Sequence, residues 1–351
     1  MKDYCLGAGA YAYNSEPTIV NCLFKWNFCS DGKPSTRYGN AIYVGNIGLP
    51  CEGATIDKPN PMIKNNIFFN NISNVSGFGT VAFVGCGVNA VLEGNTFEGN
   101  RAVISGVYVK NSDGCTIDRN VFNNQFTDMH QRNLCEFWDI DKVSFTNNMI
   151  VQDQYGYGQH QDITGVYIDG FDEAVIQNNT FTGLKSETGE SSCLYLTYIS
   201  SRAGKASITN NIFYGSTDYQ IELDLYDFPA ERTKVYNNCI KGMMAGIKTN
   251  FTYYDFVGNI DVYPQFRNEA DEDYRLSRWS PCINAGTVTN GITSRDFEGD
   301  PRVYDGAVDI GADEWIGSMI EAVKELCDAR VYRPFKNAEI TEDYSDHDQT
   351  L

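Results

Sequence analysis

The side chains best able to do chemistry lie in short runs of alternating character. Gly165-Val-Tyr-Ile-Asp169 places Tyr167 and Asp169 two residues apart, and Ile221-Glu-Leu-Asp-Leu225 does the same for Glu222 and Asp224. Gly106-Val-Tyr-Val-Lys110 contributes Tyr108 and Lys110, Leu134-Cys-Glu-Phe-Trp138 contributes Glu136 and Trp138, and Leu194-Tyr-Leu-Thr197 contributes Tyr195. Period-two alternation marks a strand with one buried face, so these side chains share the opposite face.

Two reactions suit such a set. Glycoside hydrolysis needs two carboxyl groups flanking one bond, about 5 Å apart for retention or about 6.5–9.5 Å for inversion. Glu222 and Asp224, about 7 Å apart along one strand face, are one candidate pair. Asp169 with Asp224 is another if their strands stack two layers apart, about 9–10 Å. Elimination from a uronic acid needs instead a base and a cation. Lys110 could be that base, with Arg101, Arg132, His130 and His160 nearby in sequence, and calcium held by Asp139, Asp141, Asp169 and Asp172 could bridge an acidic substrate to an acidic face. Aromatic rings cover the apolar sides of sugar rings and carboxylates accept from their hydroxyls. Tyr108, Glu136, Trp138, Tyr167, Tyr195 and His160 are therefore the candidate substrate-binding residues, beside the candidate catalytic residues Asp169, Glu222, Asp224 and Lys110. No G-x-S-x-G, phosphate loop or H-E-x-x-H occurs.

What must position these residues is a repeat. The pattern apolar, any, Asn or Gly, Asn, any, Phe or Ile begins at Ile63, Leu92, Ile117, Phe145, Ile176, Ile208 and Val235. A further copy at Ile19 carries Cys22 where the others carry the second Asn. Those Asn residues stand at 66, 95, 120, 148, 179, 211 and 238, a mean spacing of about 29 residues. The period is too short for a propeller blade, and the Leu spacing and helix of a leucine-rich repeat are missing. A right-handed parallel β-helix of about nine coils satisfies the pattern, each repeat forming one coil with successive coils about 4.8 Å apart. Asn at the same turn of every coil can then build a side-chain amide ladder, a structural role without chemistry. Cys22 and Cys239 are expected to be buried small hydrophobes.

Aligning each chemistry-bearing run to the next Asn gives two outward columns. One holds Tyr108, Glu136, Tyr167, Tyr195 and Glu222; the other holds Lys110, Trp138, Asp169, Thr197 and Asp224. A one-residue slip near Glu136–Asp139 would reverse the facing there. The columns would form a groove along the sheet, with the polar, aromatic segment 152–161 as its wall.

The opening repeat, from Gly7 to Phe24, resembles that of bacterial right-handed β-helix surface proteins. Asp273-Tyr-Arg-Leu276, Ser280-Pro-Cys-Ile-Asn-Ala-Gly286, Asp296-Phe-Glu-Gly-Asp-Pro-Arg302 and Val308-Asp-Ile-Gly-Ala-Asp-Glu314 resemble the closing segment of secreted members of the pectate-lyase-like group. That resemblance implies an extracellular or cell-surface protein acting on or binding a polysaccharide, and embraces lyases, glycoside hydrolases and non-catalytic adhesins alike. The chain enters at once into a repeat with no visible cap or signal segment, which suggests missing upstream sequence; a weak cap formed by residues 1–18 is the alternative.

Three regions follow: repeats over 1–254, a cap segment over 255–315 packed on the last coil, and a helix with an acidic tail over 316–351. Arg302 with Asp296, Asp309 or Glu314 suggests an ion-pair cluster in the cap, and Asp296, Asp300, Asp305 and Asp309 are a candidate calcium set. Ser318 and Glu321 form a capping box before a helical apolar spacing, so a short α-helix is expected to dock there. The 351 residues carry 27 Lys+Arg against 46 Asp+Glu, a net charge of −19 that argues against nucleic acid and against an unassisted polyuronate. No apolar run is long enough to span a membrane. The 11 cysteines are odd in number, so at least one has no partner within the chain. The sequence carries no sign of oligomeric state.

Overall fold

A computed structural model describes residues 9–13, 15–29, 37–45, 60–73, 77–85, 89–102, 104–124, 131–152, 162–186, 189–197, 204–225, 233–250 and 254–317. Residues up to Glu314 form one compact unit and Trp315–Leu351 another. The helix expected from Ser318 and the acidic tail lie outside the described residues.

The fold is all-β, a parallel β-solenoid whose coils stack in three ladders. The first runs from Ala10–Tyr13 through Ile42–Gly45, Val81–Val84, the opening parts of Ile104–Asp118, Gln131–Thr146 and Asp162–Gln177, then Ser191–Thr197, Tyr219–Asp224 and Ile247–Thr249. The second runs from Thr18–Val20 through Met62–Lys64, Asn89–Glu93, the closing parts of the same three long strands, Lys205–Thr209 and Thr233–Tyr236 to Tyr254–Val257. The third holds the residues after each Asn, from Leu23–Lys25 to Cys239–Ile240. The solenoid amounts to about six turns. This is fewer than the nine or so coils expected from the repeat.

Each repeat turns its corners with left-handed backbone. The residue before each anchor is in the αL region: Asn21, Asn65, Gly94, Arg119, Asn147, Asn178, Asn210, Asn237 and Gly258. Asn and Gly tolerate that conformation best, which explains the motif's third position. The long strands bend from the first ladder into the second at Asn111, Asp139 and Gly170, again with positive φ.

The anchor itself supplies the amide ladder. Asn148 Nδ2 donates to Ile117 O at 2.8 Å and to Asn179 Oδ1 at 3.1 Å, while Asn148 Oδ1 accepts from the backbone N–H of Asn120 at 2.9 Å and from its Nδ2 at 3.0 Å. The pattern runs from Asn66 to Asn238 and extends to Asn259. Cys22 ends the ladder: its backbone N–H donates to Asn66 Oδ1 at 2.9 Å, and its thiol is exposed rather than buried. Cys239 is buried as expected. A second amide ladder, Asn27, Asn71 and Asn100, spans the first three coils.

Inside, Phe24, Phe68, Phe97 and Phe122 stack with centroids 4.6–5.2 Å apart. The next rung has Ile150 in that column, and Phe145 from the second ladder fills the gap, 6.4 Å from both Phe122 and Phe181. One substitution on one ladder is thus absorbed by another, as close packing demands.

The segment after the last coil does not simply cover the solenoid's end. It runs back along the flank, held by the αL residues of the motif. Asn210 Nδ2 donates to Thr287 O at 2.8 Å, Asn178 Nδ2 to Asp309 O at 3.1 Å and Asn147 Nδ2 to Thr293 Oγ1 at 2.6 Å. In these three pairs the second Asn binds coil to coil and the first reaches the closing segment, with Asn147 also bonding Asp118 of the neighbouring coil. Val308, Asp309, Ile310, Ala312, Asp313 and Glu314 are all buried. Arg302 is fully buried and donates to the Gly311 carbonyl at 3.1 Å and to Glu314 Oε2 at 3.5 Å, so of its three expected partners Arg302 meets Glu314. Asp296 and Asp309 serve elsewhere, capping backbone N–H groups of Asp300, Glu314 and Asn284 at 2.7–3.0 Å.

Candidate functional site

The outward columns form in the register expected from the Asn count. Tyr108, Glu136, Tyr167, Tyr195 and Glu222 are direct partners on successive strands, and Lys248 follows them. Lys110, Trp138, Asp169, Thr197 and Asp224 are direct partners two residues on. No slip occurs at Glu136, because the αL residue Asp139 lies beyond both columns.

The face is not uniformly open. Ala82 and Tyr43, one and two rungs before Tyr108 in its column, are fully buried, and Tyr108 keeps only 4 % of its surface. With Val84, Ile104, Phe78 and Trp138 they make a second apolar cluster outside the solenoid interior. Tyr108 packs against Phe78 with centroids 5.2 Å apart and is therefore a covered residue rather than an open platform.

Further along, the rings emerge. Trp138, Tyr167 and Tyr195 are half-buried, and their centroids follow one another at 6.0 Å and 5.3 Å. Lys110 Nζ lies 5.6 Å from the Trp138 ring centre, a cation–π contact that gives this lysine a packing partner. Trp138 Nε1 donates to Glu136 Oε1, and Asn133 Nδ2 donates to Glu136 Oε2 at 2.6 Å. Burial raises the Glu136 carboxyl above its ordinary range, with the charge of Asp169 adding to it, against those hydrogen bonds and Lys110. Burial likewise raises the Tyr167 hydroxyl, helped by Asp169 and Glu136, so it stays protonated and able to donate.

The expected catalytic residues divide. Asp169 keeps 2 % of its surface and sits one coil and two residues diagonal to Glu136. Asp224 accepts from Tyr195 OH at 3.4 Å and from Asn250 Nδ2. Glu222 instead faces Lys248, 3.1 Å away, which also reaches Glu190 at 2.5 Å. Glu222 and Asp224 share a strand face but bind different partners, and the charge of Asp169 is felt at Glu136, which spacing alone assigned to binding. His160, His130 and most of segment 152–161 lie outside the described residues, as does the Arg132 side chain.

Neither candidate calcium set comes together. Among the described residues the carboxylates that converge are Asp296, Glu298 and Asp313, within 4.8 Å of one another. Arg275 bonds Glu298 at 3.2 Å, and Asp296 and Asp313 accept backbone N–H groups, so the cluster reads as caps and an ion pair of the closing segment. Among the described residues no helix is long and apolar enough to cross a membrane. No known family model and no curated protein matches the chain, so the parallel β-solenoid and this face stand on their own geometry.

Proposed function

We propose that this chain is an extracellular or cell-surface glycan-binding β-helix protein, with the glycan lying along the outward face of the first ladder across Trp138, Tyr167 and Tyr195. The observation that carries the reading is the run of three contacting, half-buried rings, bordered by Glu136 and Asp224. Rings of this kind cover the apolar faces of sugars while the Tyr hydroxyls and carboxylates bond their polar edges. The net charge of −19 favours neutral or basic glycans over polyuronates and nucleic acid.

Hydrolysis is the reaction this face suits better than elimination. A carboxyl raised by burial is the form a general acid takes, and Glu136 has that character beside Asp169. Strand geometry puts the two Cα atoms about 8 Å apart on neighbouring coils of one face, so both side chains border the same stretch of it. Lys110, the base that elimination requires, packs on Trp138 instead. The near-complete burial of Asp169 favours the second reading, a non-catalytic adhesin or scaffold. Reducing-end release on a panel of neutral polysaccharides separates them. A hydrolase loses about 10²-fold or more of its rate in Glu136→Gln while still retaining the glycan. Release that survives the substitution removes Glu136 from catalysis, and a silent panel with binding intact leaves the adhesin.

A further inference from the structure

Two thiols meet where the solenoid and the closing segment join. Cys239 follows the anchor Asn238 on the third ladder, and Cys282 lies in the turn after Ser280. Both are fully buried, in one apolar cluster with Ile212, Phe266, Leu276 and Ile310. The two thiols neighbour each other within that cluster, each acting on the other. Both ends are held: Cys239 Sγ is 3.1 Å from Val262 O, Cys282 N donates to Ser280 Oγ at 3.2 Å, and Ile310 N donates to Cys282 O at 3.0 Å. Cys115, Cys135 and Cys193 are also buried, but they belong to the solenoid interior and not to this cluster.

We propose that Cys239 and Cys282 form a disulfide that fastens the closing segment to the solenoid when the chain meets a disulfide oxidant. Residues 239 and 282 are 43 apart in sequence, so the bond would close a long loop and constrain the unfolded chain strongly. The chemistry balances with an oxidant of the glutathione-disulfide class. The Cys239 thiol loses its proton and its sulfur attacks one oxidant sulfur, expelling a thiolate that is then protonated. The Cys282 thiol loses its proton and attacks Cys239 Sγ in the mixed disulfide, expelling the second thiolate, which is protonated in turn. Two protein thiols are oxidised and one oxidant disulfide is reduced to two thiols. The inference does not depend on glycan binding.

The test uses the full chain, incubated with oxidised glutathione in urea below the unfolding midpoint, where local opening admits the oxidant. The sample is acid-quenched, unfolded, alkylated and digested with trypsin. The expected product is residues 235–241 linked to residues 279–295, lost when dithiothreitol precedes the quench. The oxidised chain should melt several degrees above the reduced one, and Cys282→Ala should abolish both the linked peptide and the oxidant-dependent shift. Full alkylation of both cysteines in the wild-type chain, or a link from either to any other cysteine, would overturn the proposal.

Discussion

Asn148→Ala should destabilise the chain by about 3–5 kcal/mol, measured by urea unfolding. The amide stands in the middle of the ladder and serves four bonds at once. Alanine takes the side-chain acceptor from the buried Asn120 backbone N–H, removes one of the bonds of the Asn120 amide, which keeps Leu92 O, and takes the Asn148 donor from the Ile117 carbonyl. A net hydrogen bond is worth about 1 kcal/mol, and each buried group left unpaired costs about 1–3 kcal/mol. Neighbouring amides cannot relax to compensate, because each is bonded to the coil on either side. Asn27 supplies the contrast. It donates from its side chain to Asn71 Oδ1 at 2.7 Å at the start of the short ladder, so Asn27→Ala should cost about 1 kcal/mol. Equal losses in the two variants would show that the amide ladder is not what holds the coils in register.

The second large effect is on pH. The Glu314 carboxyl is raised to about 8 by burial and by the charge of Asp309, with Arg302 opposing. The folded chain therefore holds this proton far more tightly than the unfolded chain, where a glutamate titrates near 4.5. The stability this gives is fully present below about pH 4.5 and is lost as pH rises through about 8. At about 1.4 kcal/mol per pKa unit the ceiling is about 5 kcal/mol. Melting temperature should fall by several degrees between pH 5 and pH 8.5. Glu314→Gln keeps an acceptor for the Asp309 N–H and for Arg302 but cannot ionise, so it should flatten that slope. A wild-type curve without slope, or a variant with the same slope, contradicts the assignment.

The sequence carried more of the face than of its surroundings. The Asn anchors recur once per coil, and counting back 12 residues from Asn120, Asn148 and Asn179 places Tyr108, Glu136 and Tyr167 side by side, as the ladder has them; Tyr195 and Glu222 stand 16 residues before Asn211 and Asn238 and join the column through the alternation of their own strands. Such local spacing cannot report what covers a face. Tyr108 and Asp169 alternate like exposed residues, yet both are buried, because contacts outside their own strands decide their exposure. The same limit hid the role of the first Asn in each pair. Asn147, Asn178 and Asn210 reach a segment more than 70 residues further along the chain, and no periodicity encodes that contact. The ladder through Asn27, Asn71 and Asn100 was legible in principle, five residues after each anchor position, but it spans too few coils to declare itself as a repeat. Cys239 and Cys282 illustrate the point most simply: one belongs to a repeat and the other does not, and only the fold brings their sulfurs together.

Affinity electrophoresis through a panel of neutral, basic and acidic polysaccharides tests the central claim most directly, with the wild-type chain run beside Tyr167→Ala/Tyr195→Ala. These two side chains are half-buried on the outward face, so their removal leaves the solenoid interior intact. The account predicts that at least one neutral or basic polysaccharide retards the wild type, and that the double variant binds it at least tenfold more weakly while melting as a folded protein. Retardation of both chains to the same degree, or of neither by any polysaccharide, would contradict a glycan-binding face at Trp138, Tyr167 and Tyr195.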